Sequence, residues 1–213
     1  MIELLDTDIE GLNARLAPLS ARDRIRVASE VFGQDLVLAT SFGRTAGVML
    51  KLASEVDSSI RVITVRHGYE SKRTLQLADA FRLRLKMKVK VFQAPQVLIP
   101  DEDSPEFEVF KQKVKIEPFQ QALREEQPKA MLSGVMREET EERRTFDFAM
   151  LRDGLVNIYP LLDWTETDAE EFCLAHGLPL NEQYFDPTKG ISQNKECGIH
   201  MGKLGSSWTS SGL

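Results

Sequence analysis

Cysteine is scarce in this chain: there are two among 213 residues, Cys173 and Cys197, and no C-x-x-C pair. That excludes a zinc ribbon and a cysteine-ligated iron–sulfur cluster, which need several closely spaced thiolates. A disulfide framework is excluded on the same count, and the expected compartment is a reducing cytoplasm. Histidine is nearly as rare, and His67, His176 and His200 are too scattered to form a metal site, so no metal is expected. No apolar run approaches the roughly 18 residues that span a bilayer. The opening MIELLDTDIE lacks the basic region of a secretory signal, so neither membrane association nor secretion is expected. Positive charge is also in deficit, with 27 Lys and Arg against 33 Asp and Glu. A net charge of −6 argues against a nonspecific nucleic-acid binder, whose affinity comes from phosphate neutralisation.

What is present alternates. Ser20 to Asp23 reads as a capping box, followed by Ile25, Ala28, Val31 and Phe32 at helical spacing, with Gly33 as the stop. LVLAT (Leu36 to Thr40) reads as a buried strand, and Thr45 to Glu55 as a helix. RVITV (Arg61 to Val65) is a second strand, Lys72 to Lys86 a helix, and KVKVFQ (Lys88 to Gln93) a third strand. A helix opens at Ser104-Pro105 and PFQQALREE forms another. AMLSGVM (Ala130 to Met136) and LVNIYPLL (Leu155 to Leu162) are the fourth and fifth strands, and Thr165 with Asp168 caps a last helix through Ala175. The alternation predicts an α/β, doubly wound, mostly parallel sheet. Ligands bind such sheets beyond the carboxyl ends of the strands. The residues placed there are Ser41, Phe42, Gly43 and Arg44, then Arg66, His67 and Gly68, then Arg137 and Glu138. This rim is basic on an acidic chain, and it reads as an anion site.

TSFGRTAG follows a strand and opens a helix, where backbone N–H groups, the Ser41 hydroxyl and a small Gly43 allow close approach of a phosphate. It is neither a Walker loop nor a dinucleotide fingerprint, and turns favour Ser and Gly for structural reasons as well. GVMREETEERR carries Arg137, Arg143 and Arg144 among carboxylates. It reads either as a solvated helix face or as guanidinium forks suited to phosphate or sulfate. His176 is expected at a helix end, and Cys173, in AEEFCLAHG, as a core residue. Cys197 lies in the polar SQNKECGIHMGK beside Lys195, which favours the thiolate, and Glu196, which opposes it. It is either an incidental thiol or a nucleophile.

Together these pieces resemble the sulfonucleotide reductases, the family of 3′-phosphoadenylylsulfate (PAPS) and adenylylsulfate (APS) reductases. KECGIH (Lys195 to His200) is similar to the family's signature tail, and TSFG to its phosphate loop. KIEP (Lys115 to Pro118) resembles Lys-Val-Glu-Pro, and GVMREETEER resembles Gly-Leu-Arg-Arg-x-x-Ser-x-x-Arg at Gly134, Arg137, Thr140 and Arg143. YPLLDW (Tyr159 to Trp164) resembles Pro-Ile-Ile-Asp-Trp. The similarities run in family order over about residues 20 to 200.

The resemblance implies an adenine nucleotide α-hydrolase-like domain over residues 1–190 and a catalytic tail over 191–213. It makes Cys197 the nucleophile, forming an S-sulfonate from PAPS. Ser41, Phe42, Gly43, Arg44, His67, Arg137, Arg143, Lys195 and His200 hold the substrate. It implies no bound cofactor, no iron–sulfur cluster, and external thioredoxin or glutaredoxin as electron donor. With Cys173 in a helix core the chain has no second thiol to free sulfite, which points to the same partner. The reading leaves room for a homodimer. The chain departs from the family where RHGYESKRT replaces Asp-Thr-Gly-x-x-x-x-Glu-Thr, at Met136, at Arg44, and in a short segment between Tyr184 and Lys195. The alternatives are a cluster-free APS reductase, an ATP pyrophosphatase and a nucleotide-binding protein that has lost catalysis.

Overall fold

Five apolar stretches form parallel strands: β1 (Leu36–Ala39), β2 (Arg61–Arg66), β3 (Val89–Gln93), β4 (Ala130–Leu132) and β6 (Leu155–Ile158). A sixth, β5 (Ala149–Arg152), pairs antiparallel with β6 at one edge. The sheet order is β3-β2-β1-β4-β6-β5 in this computed structural model, which describes residues 8–190. Lys195, Cys197 and His200 lie outside the described residues.

Side chains alternate between the two faces of each strand. Leu36, Leu38, Val62, Leu132, Val156 and Ile158 face one core, against α2 (Ala21–Phe32), α3 (Ala46–Val56) and α4 (Lys72–Leu85). Val37, Ile63, Phe92, Met131 and Leu155 face the other, against Phe119, Ala122 and Leu123 of α6 (Glu117–Glu126). The helix ends follow the expected caps. The Ser20 hydroxyl accepts from Asp23 N–H at 3.2 Å, and Gly33 leaves α2 with φ +50°. The Thr165–Asp168 capping box opens α7 (Glu166–Ala175).

Three features go beyond the sequence reading. A helix α1 (Ile9–Leu16) precedes α2 and packs on β5. β5 turns into β6 through Asp153-Gly154, both at positive φ (+50° and +76°), the two-residue hairpin geometry that favours Asp-Gly. The helix opening near Pro105 does not end before PFQQALREE. α5 (Glu106–Lys111) runs into α6 through a π turn, Gln112–Ile116. Pro118 has no N–H and its ring crowds the preceding turn, so widening the helix just ahead of it relieves the conflict. β4 and β6 are also shorter than read, ending at Leu132 and Ile158 rather than Met136 and Leu162. Ser133 N–H still donates to Ile158 O at 3.0 Å as the chain leaves the sheet for the rim.

One buried cation ties the N-terminal helices to the segment after β6. Arg24, 2% exposed, donates to the carbonyls of Leu16 (3.1 Å) and Pro160 (2.9 Å) and to Asp163 (2.7 Å), and its guanidinium lies over the Phe148 ring at 3.8 Å. Burial pushes the Asp163 carboxyl up, but its bond to Arg24 and that charge outweigh the effect and hold it low. Replacing Arg24 by Ala is expected to cost about 2–3 kcal/mol, discounted for the exposure of Asp163. Urea unfolding measures it, and an unchanged midpoint would contradict this role.

Candidate functional site

The strand order reverses at β1, with β2 on one side and β4 on the other. The carboxyl ends of β1 and β4 therefore flank a crevice of the kind that takes ligands in doubly wound sheets. The loop Thr40–Thr45 leaves β1 on one side, and Ser133–Arg137 leaves β4 on the other. His67 follows the neighbouring β2. Topology thus brings Ser41, Phe42, Gly43 and Arg44 beside Arg137, with His67 on the flank. Gly134 lets the β4 exit pack closely on α3, because a Cβ there would sit 3.0 Å from Met49 Cγ.

Ser41 is exposed, and a Cβ built on Gly43 would meet nothing nearer than Ser41 Oγ at 3.7 Å, so the loop faces open space. The Phe42 ring is buried in the core, so Phe42 anchors the loop between the exposed Ser41 and the open face of Gly43. Phe42 has φ +52°, the left-handed region that non-glycine residues avoid. Its N–H donates to Thr40 Oγ1 at 3.1 Å, and its carbonyl accepts from Asn181 Nδ2 at 2.7 Å.

The arginines arrive with partners. Arg44 Nε lies 2.7 Å from Glu170 and 3.4 Å from Glu166 at the start of α7, and the bond to Glu170 is the main reason its pKa is raised further. The Glu166 N–H donates to Glu138 in the β4 exit, so α7 fastens the two loops to each other. Arg137 donates to Phe146 O from Nε (3.3 Å) and Nη2 (3.0 Å) and lies 5.3 Å over the Phe148 ring. Arg143 is buried and paired with Glu139, whose carboxylate also accepts from Met136 N–H at 2.9 Å. Residues 137–145 hold these groups on two short 3-10 turns, not on the helix face that composition alone allowed.

His67 is buried, and its Nδ1 accepts from Tyr69 N–H at 3.1 Å. Burial pushes the imidazole below its ordinary pKa, against the opposing pull of Glu70 and Asp186. The nearby Glu70 accepts from the N–H groups of His67 (2.7 Å) and Gly68 (3.0 Å) and so shapes this turn. His67 therefore sits at the rim as a neutral, buried ring.

Three further residues meet at the rim that the sequence reading left off its site. Lys115, in the π turn, pairs with the buried Asp186 and donates to Thr188 Oγ1 at 3.2 Å. Burial would raise Asp186, but the charge and hydrogen bond of Lys115 and the bonds from Thr188 hold it down at about 2. Two signals were available: KIEP was in view, and Asp-Pro-Thr is an N-cap followed by Pro at the first helical position.

Elsewhere, Cys173 is fully buried and burial pushes its thiol up, while His176 caps α7 with Nδ1 2.8 Å from Phe172 O, as expected for both. A cavity of about 320 Å³ at the opposite end of the sheet is lined by Leu123, Arg124, Gln127, Arg152 and Leu155, away from every rim residue. Among the described residues no cluster of His, Cys, Asp or Glu is arranged to hold a metal, and no helix is long and apolar enough to cross a membrane.

Comparison with solved structures places this fold. PAPS reductase from Candida auris, in a phosphate complex, superposes with TM-score 0.72 at 23% identity, covering 85% of this chain and 91% of that one. Candida glabrata FMN adenylyltransferase in complex with ATP gives 0.56 at 16% identity, covering 82% and 59%. The NH3-dependent NAD synthetase of Campylobacter jejuni gives 0.53 at 10%, covering 81% and 75%. The fold is adenine nucleotide α-hydrolase-like, as the family resemblance implied, and its doubly wound, mostly parallel sheet is what the strand alternation led one to expect.

The family follows from sequence. Residues 35–191 match the phosphoadenosine phosphosulfate reductase domain. A phosphoadenosine 5′-phosphosulfate reductase of Synechococcus is 35% identical over 180 residues, spanning 80% of this chain and 78% of that protein. Its counterpart from Synechocystis is 33% identical over 193 residues, spanning 86% and 77%. The chain belongs to the phosphoadenosine phosphosulfate reductase family.

The Asp186 ion pair makes a pH prediction. A carboxyl depressed in the folded state contributes stability that is full above its unfolded pKa, near 3.8, and is lost as pH falls through about 2. The difference in unfolding free energy between the wild type and Asp186→Asn should shrink by about 2 kcal/mol from pH 5 to pH 2. A difference independent of pH would contradict the pairing.

Proposed function

We propose that the protein reduces PAPS to sulfite and adenosine 3′,5′-bisphosphate, with Cys197 as the nucleophile. The observation that carries this reading is family membership across the nucleotide domain together with KECGIH in the chain that follows it. The crevice between β1 and β4 takes the nucleotide, and residues 191–213 act as a catalytic arm. Ser41 and the backbone N–H of Gly43 meet one phosphate, and Phe42 sets the curve of the turn between them. Arg44, Arg137 and Arg143 set the positive field around it, Lys195 and His200 accompany the thiol, and His67 lines the flank as a neutral ring.

The chemistry is nucleophilic catalysis through a covalent intermediate. The Cys197 thiolate attacks the sulfuryl sulfur, an S–S bond forms and the S–O bond to the phosphate breaks. The electron pair leaves with adenosine 3′,5′-bisphosphate, and the enzyme holds an S-sulfonate. An external dithiol then supplies two electrons: one thiolate displaces sulfite, and the second resolves the mixed disulfide and restores the Cys197 thiol. The burial of Cys173 supports an external donor, thioredoxin or glutaredoxin, because that thiol is 0% exposed. No cofactor enters this cycle. A reducing cytoplasm suits a protein that works through a free thiol.

Incubation with PAPS is expected to add the mass of one sulfo group to the Cys197 peptide. Cys197→Ser should abolish both the adduct and sulfite release with thioredoxin. APS tested alongside reads the 3′-phosphate preference. No adduct from either nucleotide, or pyrophosphate release from ATP, would contradict the proposal.

A further inference from the structure

We propose that Asn181 is the positioning residue that holds the nucleotide loop in its binding conformation. The inference rests on the nucleotide reading of that loop. The turn at Thr40–Thr45 contains a residue, Phe42, held at φ +52° without being glycine. Such a conformation persists only when the surroundings enforce it. A single left-handed residue in a turn is also the backbone feature that curves consecutive N–H groups into an anion-binding concavity.

Asn181 contacts both sides of that residue. Its Nδ2 donates to the Phe42 carbonyl at 2.7 Å, and its backbone N–H donates to the Arg44 carbonyl at 3.0 Å. The orientation of the side-chain amide is fixed by chemistry. The Phe42 carbonyl can only accept, so the atom facing it must be the NH2 group. The Thr74 hydroxyl, in the first turn of α4, meets the same amide at 2.9 Å from Nδ2 and 3.3 Å from Oδ1, and Ser71 Oγ lies 3.0 Å behind it. Asn181 is 3% exposed, so water cannot replace a bond it loses.

Asn181 also begins the segment that continues to Asp186 and its bond to Lys115. The same stretch of chain therefore sets the loop and leads on towards the residues that carry Cys197. An asparagine that merely satisfies the core would have no reason to grip the strained residue and the residue two positions on.

The test uses the full chain, with adenosine 3′,5′-bisphosphate as the probe, titrated calorimetrically, and trypsin cleavage after Arg44 as a readout that needs no ligand. Asn181→Ala removes both side-chain bonds. Asn181→Asp keeps the size and can still accept from Thr74, but it cannot donate to Phe42. Both are expected to bind the nucleotide at least about tenfold more weakly and to be cut faster after Arg44. Thr74→Val, which leaves the Phe42 bond, should stay close to wild type in both. If alanine prevents folding, Asn181→Asp carries the comparison. Wild-type affinity and wild-type trypsin resistance in Asn181→Asp would overturn the proposal, as would an equal loss in Thr74→Val. A wild type that does not bind adenosine 3′,5′-bisphosphate defeats the function proposed above, while the trypsin pattern still decides whether Asn181 holds the loop.

Discussion

The reversal of strand order at β1 is the constraint on which the rest depends. Two adjacent parallel strands, β1 and β4, send their chains away in opposite directions, so no helix can cover the gap between their carboxyl ends. Into that gap project the turn after β1 and the exit from β4. Their positions rest on short apolar strands that the core fixes from both faces: Leu36 and Leu38 on one side, Val37 and Met131 on the other. A change in the register of β1 by one residue would exchange those faces and carry the loop with it.

Charge at the crevice is organised by pairing rather than by excess. Arg44 is braced by α7, Arg143 by Glu139, and Lys115 by Asp186. Guanidinium groups held this way lose less freedom when an anion arrives, since their side chains are already ordered. This also reconciles a net charge of −6 with the anion site proposed above: the carboxylates that make the chain acidic are partly those that hold the cations in place.

Much of this was legible in the sequence. Strands as apolar as LVLA and VITV, capped helices at Ser20 and Thr165, and the Gly33 stop were visible because local patterns and tertiary packing agree there. The misses have physical causes. β5 is a four-residue edge strand in which only Ala149 is buried, so its hydrophobic signal is weak, although Asp153-Gly154 marks its turn. The π turn is invisible to periodicity, because it arises from a conflict at Pro118 that only the continuous helix creates. The partner of Arg44 lies far along the chain: Glu170 is 126 residues away. No spacing rule could have found Asn181, whose role depends on the backbone of Phe42, 139 residues away.

In the proposed reaction the nucleotide occupies the crevice between β1 and β4. Hydrogen–deuterium exchange with and without adenosine 3′,5′-bisphosphate tests it most directly. Protection is expected in peptides covering residues 40–45 and 133–146. Protection confined to the far edge of the sheet, around Arg124 and Arg152, would contradict it.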